Sequence, residues 1–296
     1  MAADLGGFKR TLVYAAEGPA EQLFADVEEI RKFDRESEKR LRVWKFLTAG
    51  SVLAIGLGLF FVISRAIGEE RSFQAFLGCV TLGGVGLITG IVLWVRGSRF
   101  DLANRRYELF AALVEMLRRD MPKDATIAVA LDLSRPTEKR KKTGTGKAGH
   151  WDVVYHQDPW LKLRGRFADG TTFQVAMIDK TQLRNRWKRS ASGKNKRKTK
   201  TKAATVALVK LSPKAKRYPD LPRVAGEVRK LVRIPSWCEV KEATASAEEL
   251  TLVTTTAAQW SVRGADPATK FDGFELVGAM FFSLYEALHL SKTSAA

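Results

Sequence analysis

Between positions 184 and 202 the chain places ten Lys and Arg residues and no Asp or Glu: Arg184, Arg186, Lys188, Arg189, Lys194, Lys196, Arg197, Lys198, Lys200 and Lys202. The chemistry such a series offers is the electrostatic grip of phosphate or another polyanion. In a strand, residues two apart share a face. Lys194, Lys196, Lys198, Lys200 and Lys202 therefore line one side and meet Arg184, Arg186 and Lys188 on the neighbouring strand. Like charges set directly opposite one another oppose pairing, and bound anions relieve them. Three readings compete. The first is the anionic headgroups of a cytoplasmic leaflet, where each nearby cation contributes about 1 kcal/mol. The second is nucleic acid, gripped through phosphates with steep salt dependence. The third is no partner at all, the charges forming a solvated arm that keeps an edge from aggregating. Trp187 is the only aromatic inside the cluster. That counts against base stacking, because stacking platforms usually show several.

Other residues of the right type are less convincing. His150, Asp152, His156 and Asp158 fall at even spacings, so a continuous strand aligns them on one face, and His and carboxylate are zinc ligand types. Strand residues six or eight apart are separated by roughly 20 Å or more, so only a bend near Pro159 would let them converge. The expectation is polar residues on a solvent face and no metal. Gly144-Thr-Gly146-Lys-Ala-Gly149 matches G-x-G-x-x-G, but a dinucleotide site needs a strand before it and a helix after it. Here Lys139-Arg-Lys-Lys142 precedes and the strand-like Trp151 to Tyr155 follows. Lys141 and Ala148 also break the Walker pattern. No Gly-x-Ser-x-Gly, His-Glu-x-x-His or Cys-x-x-Cys motif occurs. With only Cys79 and Cys238, the chain has no disulfide framework. No cofactor is expected, and the balance falls towards a protein that is not an enzyme.

The formal charge of +18 over 296 residues belongs almost wholly to one segment. Residues 136–220 hold 23 Lys and Arg against six Asp and Glu, whereas residues 1–45 carry nine of each sign. The partner is therefore to be sought in that segment.

The elements that bring it into position begin with two uncharged runs, Phe46 to Ser64 and Ser72 to Val95, joined by residues 65–71. At 1.5 Å per residue they span about 28 and 36 Å, against a hydrocarbon core of about 30 Å. Both can cross a membrane. No cationic stub followed by a short apolar stretch opens the chain, so no cleaved signal peptide is expected. Seven Lys and Arg (Arg31, Lys32, Arg35, Lys39, Arg40, Arg42 and Lys45) precede the first run. Arg96, Arg99, Arg105 and Arg106 follow the second, while the loop offsets Arg65 and Arg71 with Glu69 and Glu70. The positive-inside rule then puts both termini in the cytoplasm of a multi-pass plasma (inner) membrane protein. Trp44 and Trp94 fall at the same boundary, where indoles favour the interface. Small residues recur at four-residue spacing: Gly50, Ala54 and Gly58, then Ala75, Cys79 and Gly83, then Gly86 and Gly90. Such faces let helices approach closely, within the hairpin or between copies in a homo-oligomer. No Asp, Glu, Lys, Arg or His lies inside either run, as a transport pathway would require, so the pair reads as an anchor.

Around the hairpin, residues 19–45 and Asp101 to Arg119 carry helical apolar stripes. From Ala125 the pattern turns to strands. Thr126 to Leu133 is the first, and Trp160 to Phe167 and Thr172 to Ile178 flank an Ala-Asp-Gly-Thr turn. The second of these strands continues through Leu183 and Trp187, and Lys194 to Leu211 returns beside it. Leu221 to Val232 reads as a helix, Cys238–Ala243 with Leu250–Thr255 as a hairpin, and Phe271 to Leu290 as a helix covering the sheet. The expected organisation is an N-terminal cytoplasmic segment (1–45), a transmembrane hairpin (46–95) and a juxtamembrane helix (96–121). A cytoplasmic α+β domain (122–296) follows, with a basic linker (136–149) and a long basic β-ribbon (172–211). The expected function is binding or scaffolding at a membrane through anionic headgroups or another polyanion. A membrane-tethered nucleic-acid binder is the alternative, and an effector enzyme or nucleotide sensor with an unrecognised pocket is the third reading.

Overall fold

The computed structural model describes residues 5–64, 69–189, 193–219, 221–224, 226–264, 266 and 269–293. The chain divides into two compact units, Met1–Val27 with Ala103–Ala296, and Glu28–Leu102.

The first unit is a mixed helix and sheet domain built on one antiparallel sheet of eight strands. They are β1 (Val13–Gly18), β2 (Ile127–Asp132), β3 (Lys142–Ala148), β4 (Trp151–Arg166), β5 (Thr172–Arg189), β6 (Asn195–Ser212), β7 (Glu239–Ala245) and β8 (Leu250–Thr256). Their order is β1-β2-β4-β5-β6-β8-β7, and β3 pairs with the distal part of β4. Period-two alternation fixes which face is dry. Val129 and Leu131 of β2, Phe173, Val175 and Met177 of β5, Val209 and Leu211 of β6, and Leu250 and Leu252 of β8 are all buried. Two helices cover that face, α4 (Asn104–Leu117) through Leu109, Phe110 and Leu113, and α7 (Gly273–Thr293) through Val277, Met280 and Leu284. The Asp-Gly turn between β4 and β5 forms as its chemistry directs. The Thr171 N–H and hydroxyl donate to Asp169 (2.8 Å each), and Gly170 takes a φ of +86°, which glycine adopts without penalty.

Pro159 shapes the site. Without an N–H it cannot complete a ladder inside a central strand, and β4 shifts register between Pro159 and Leu161. Before the bulge, His156 and Asp158 point to the covered face; Trp160, the extra residue, is buried as well, and after it Leu161 and Leu163 take that face.

Several expectations need correction. Residues 1–45 are not one segment: α1 (Leu5–Thr11) and strand β1 belong to the sheet domain, and β1 forms one edge of the sheet. Only six residues long and lying before the apolar runs, β1 gave no alternation strong enough to stand out. The basic linker is β3, which pairs with the free edge of β4; its Gly-Thr-Gly run is a strand, followed by a turn with Gly149 at φ +59°. The helix expected over Leu221 to Val232 is two single turns, α5 (Leu221–Val224) and α6 (Val228–Leu231), with Ala225 outside the described residues.

Two helices in the chain, α2 (Ala20–Ser64) and α3 (Glu69–Gly97), are long and apolar enough to cross a membrane. In the second unit they lie against each other along Thr48, Ser51, Ile55 and Gly58 of α2. A Cβ added at Gly58 would meet Cys79 Cβ at 2.7 Å, at Gly83 Ile55 Cγ1 at 2.7 Å, at Gly86 Ser51 Oγ at 2.5 Å and at Gly90 Thr48 Oγ1 at 2.6 Å. These positions alternate steps of three and four, the 3.5-residue period of a left-handed seam, rather than the constant four expected. Gly50 therefore opens onto empty space instead of the seam, Ala54 is half-buried, and the side chain of Ala75 is outside those described. The seam hydroxyls are satisfied within α2, Thr48 donating to the Trp44 carbonyl and Ser51 to that of Leu47 (2.8 Å each).

Candidate polyanion-binding face

Strands β5 and β6 each run for 18 residues, and only the first half of β5 and the second half of β6 lie over the core. The register places Lys188 opposite Lys196, Arg186 opposite Lys198 and Arg184 opposite Lys200, with Lys202 opposite Gln182. Seven of the ten basic residues thus share one face. Arg197 stands opposite Trp187 on the other face, beside the Arg189–Asn195 pair. Lys194 precedes β6, and Ser190 to Ser192 lie outside the described residues. The Arg189 Nε donates to the Gly193 carbonyl (3.2 Å) near the ribbon tip. Neighbouring β8 accompanies β6 only over Thr205–Leu211. From Asn195 to Ala204 the outer edge of β6 has no strand beside it among the described residues.

Sequence reasoning missed the other side of this face. Val153 of β4 is opposite Arg184 of β5 and Gly146 of β3, and Tyr155 is opposite Gln182 and Gly144. Trp151 and Tyr155 therefore stand on the basic face, next to strand positions occupied by Gly144, Gly146 and Ala148. The Arg186 guanidinium lies 4.5 Å from the centre of the Trp151 ring, a cation–π contact. Arg184 is aligned by donating to the Gln182 side-chain oxygen Oε1 (2.6 and 3.1 Å). This face contains no acid between the three like-charge pairs and β3. Trp187, 71% exposed, points from the opposite face. The aromatic visible within the basic run is the one that does not share its surface.

A second group lies on the covered side of the sheet. Arg106 in the first turn of α4 is 1% exposed and Asp158 fully buried. Arg106 Nη2 donates to Asp158 Oδ2 (2.7 Å) and Asp179 Oδ2 (2.9 Å), and Nη1 to the carbonyls of Asp132 (2.9 Å) and Ser134 (3.3 Å). Lys141 Nζ pairs with Asp158 Oδ1 (2.8 Å) and Asp132 Oδ2 (3.2 Å). Arg105 reaches Asp179 (3.1 Å), whose other oxygen accepts from the Thr205 hydroxyl (2.8 Å). Arg140 also reaches Asp132 Oδ2 (2.8 Å) and pairs with Glu138 (2.9 Å), so four carboxylates meet four cations and the network is neutral, a condition under which charge tolerates burial. Trp160 lies beneath the Arg106 guanidinium (5.2 Å) and stacks on Trp260 (6.3 Å), whose Nε1 donates to Thr205 (3.2 Å). Burial alone would raise the carboxyl of Asp132. The Ser134 hydroxyl, the Lys141 charge and the Ser134 N–H outweigh it and hold that carboxyl below its usual range.

These pairings correct the reading of the four metal-type residues. Both oxygens of Asp158 are held by cations, and His156 is buried, so neither faces solvent. Asp152 and His150 are exposed, the latter at the turn from β3. The four do not converge. One trio of carboxylates, Asp34, Glu38 and Asp101, comes within 4.8 Å in the second unit, and Asp34 already accepts the Leu102 N–H (3.2 Å). A groove of about 400 Å³ opens on the uncovered sheet face among Glu17, Arg164, Gln174 and Lys210, which form one cross-strand row with Ala128. Arg164 is engaged by Gln174 and Lys210 by Glu249, and Glu17 is the only acid in the lining, so it offers no acid–base pair.

Compared with known proteins, the chain matches no family model, no curated protein and no solved structure.

Proposed function

We propose that this chain is a membrane-anchored binding protein. In this reading α2 and α3 hold it in the plasma (inner) membrane with both termini cytoplasmic, and the basic face of β5 and β6 engages a phosphate-bearing polyanion. Headgroup phosphates of the adjoining leaflet and other polyphosphates present that face with the same chemistry. One observation carries the proposal. Three pairs of cations stand directly opposite one another, Lys188–Lys196, Arg186–Lys198 and Arg184–Lys200, in a ribbon with no acid on that face. Cross-strand neighbours on one face sit about 5 Å apart, so the pairs repel unless an anion lies between them. Membrane insertion is supported by the apolar side chains that α2 and α3 turn outward, among them Leu53, Phe60, Leu82 and Ile88. In water such a surface is unfavourable by about 25 cal/mol per Å².

The test uses the full chain in nanodiscs of neutral phosphatidylcholine, passed over immobilised polyphosphate. Retention at physiological salt, with loss of it in the triple variant Lys196→Ser, Lys198→Ser, Lys200→Ser, is the expected result. A wild-type protein that flows through, or a triple variant retained equally, contradicts the proposal.

A further inference from the structure

We infer that the polyanion is a single-stranded nucleic acid, its phosphates on the lysines of β6 and its bases on Trp151 and Tyr155. This rests on the polyanion reading of the same face and names the ligand class. A surface that only grips phosphate needs charge alone. Here the strand next to the arginines supplies an indole and a phenol about 13 Å apart along β4, both half-buried on the cationic face. The next strand, β3, sets Gly144 opposite Tyr155, Gly146 opposite Val153 and Ala148 opposite Trp151, so nothing larger than a methyl stands on that flank. The space is real. A Cβ at Gly144 would meet nothing within 4 Å, and one at Gly146 would touch the Tyr155 ring at 3.3 Å. Strand by strand the face runs from bare glycine backbone to aromatic rings, to arginines, to lysines. Single-stranded binders combine the same parts, a cationic track for the backbone and π faces on which bases stack without regard to sequence. Arg186 over Trp151 extends the stack with a guanidinium plane.

Two alternatives fit less well. A leaflet surface uses Trp and Tyr by inserting them past the charged groups, whereas Trp151 and Tyr155 are half-buried among the side chains of this face. Trp187 does protrude, but from the opposite face. A duplex hides its bases from a flat sheet, whereas splayed bases of a single strand meet it directly.

The experiment again uses the full chain in neutral nanodiscs, with fluorescein-labelled oligodeoxythymidylate as probe and polyphosphate as the comparison ligand. The double variant Trp151→Ala, Tyr155→Ala is expected to weaken oligonucleotide binding at least about tenfold and to weaken polyphosphate binding by a much smaller factor. Gly144→Glu, which enters open space on the outer strand, tests the same surface without removing a packed ring; it is expected to weaken the oligonucleotide several-fold. Quenching of tryptophan fluorescence by the oligonucleotide, absent in Trp151→Ala, is the third expected sign. If polyphosphate binds and both variants leave oligonucleotide affinity unchanged, the stacking inference is overturned while the polyanion reading stands. Binding to phosphatidylserine vesicles with no binding of the oligonucleotide overturns it in favour of headgroups. Failure to bind any of the three ligands removes both.

Discussion

Arg106 has two carboxylates on one nitrogen and two backbone carbonyls on another, with Trp160 beneath it. Its removal leaves Asp158 and Asp179 buried and short of positive charge. Arg106→Ala is expected to lower the unfolding free energy by about 3–5 kcal/mol, measured by denaturant titration of the detergent-solubilised protein. Arg106→Lys should recover only part of this, because a lysine ammonium cannot present the planar fork. Asp132 gives a pH prediction of definite sign. Its folded carboxyl is held below the usual range, so the stability it contributes is complete above the unfolded value of about 3.9 and is lost as pH falls through the folded one. Asp132→Asn should flatten the acid limb of a stability–pH curve, and an unchanged limb would show that the group does not carry it. None of this network was legible in the sequence. Arg105 and Arg106 read as positive-inside markers after an apolar run, and Asp158 as a metal-type residue, because their partners lie 26 to 74 positions away in sequence. Ion pairs across a sheet leave no local spacing to detect.

Among the elements, the ribbon was the most legible. Even-numbered lysines on β6 and even-numbered residues on β5 marked its face, since strand period sets which side chains share a side, while the individual cross-strand pairs followed only from the register. What lay beside it was hidden. The glycines that make β3 part of the face also deprive it of strand propensity, so the segment read as a linker. The hairpin shows the opposite limit. Small residues marked the contact, but the choice between steps of four and alternating steps of three and four depends on helix crossing. Gly90→Leu places a Cβ 2.6 Å from Thr48 Oγ1, whereas Gly50→Leu enters open space. Gly90→Leu should destabilise the hairpin by about 1–3 kcal/mol through overpacking, seen as a lower temperature for loss of helical circular dichroism. Gly50→Leu should leave that temperature in place. Equal effects would contradict the seam.

At the scale of the whole molecule, the proposal joins an apolar hairpin to a cationic sheet face. Orientation can be checked with Gly68→Cys, between the two apolar runs in sequence, and a membrane-impermeant maleimide applied to intact cells. Labelling is expected, and protection would invert the topology. Cys238 should not interfere, since burial pushes its thiol up to about 12 and leaves little thiolate. The layout of two spanning-length helices and a sheet domain was readable from run length and alternation. The domain boundary was not, because β1 reaches the sheet from before the hairpin and pairs with β2, more than a hundred residues later. The most direct test of the central claim is the salt dependence of polyphosphate binding by the full chain in neutral nanodiscs. Seven cations on one face predict a slope of log K against log salt near about −5, on the scale of single-stranded polyanions. The triple variant Lys196→Ser, Lys198→Ser, Lys200→Ser should make that slope shallower by about 2. A wild-type slope near zero, or a variant slope equal to the wild type, would contradict the account.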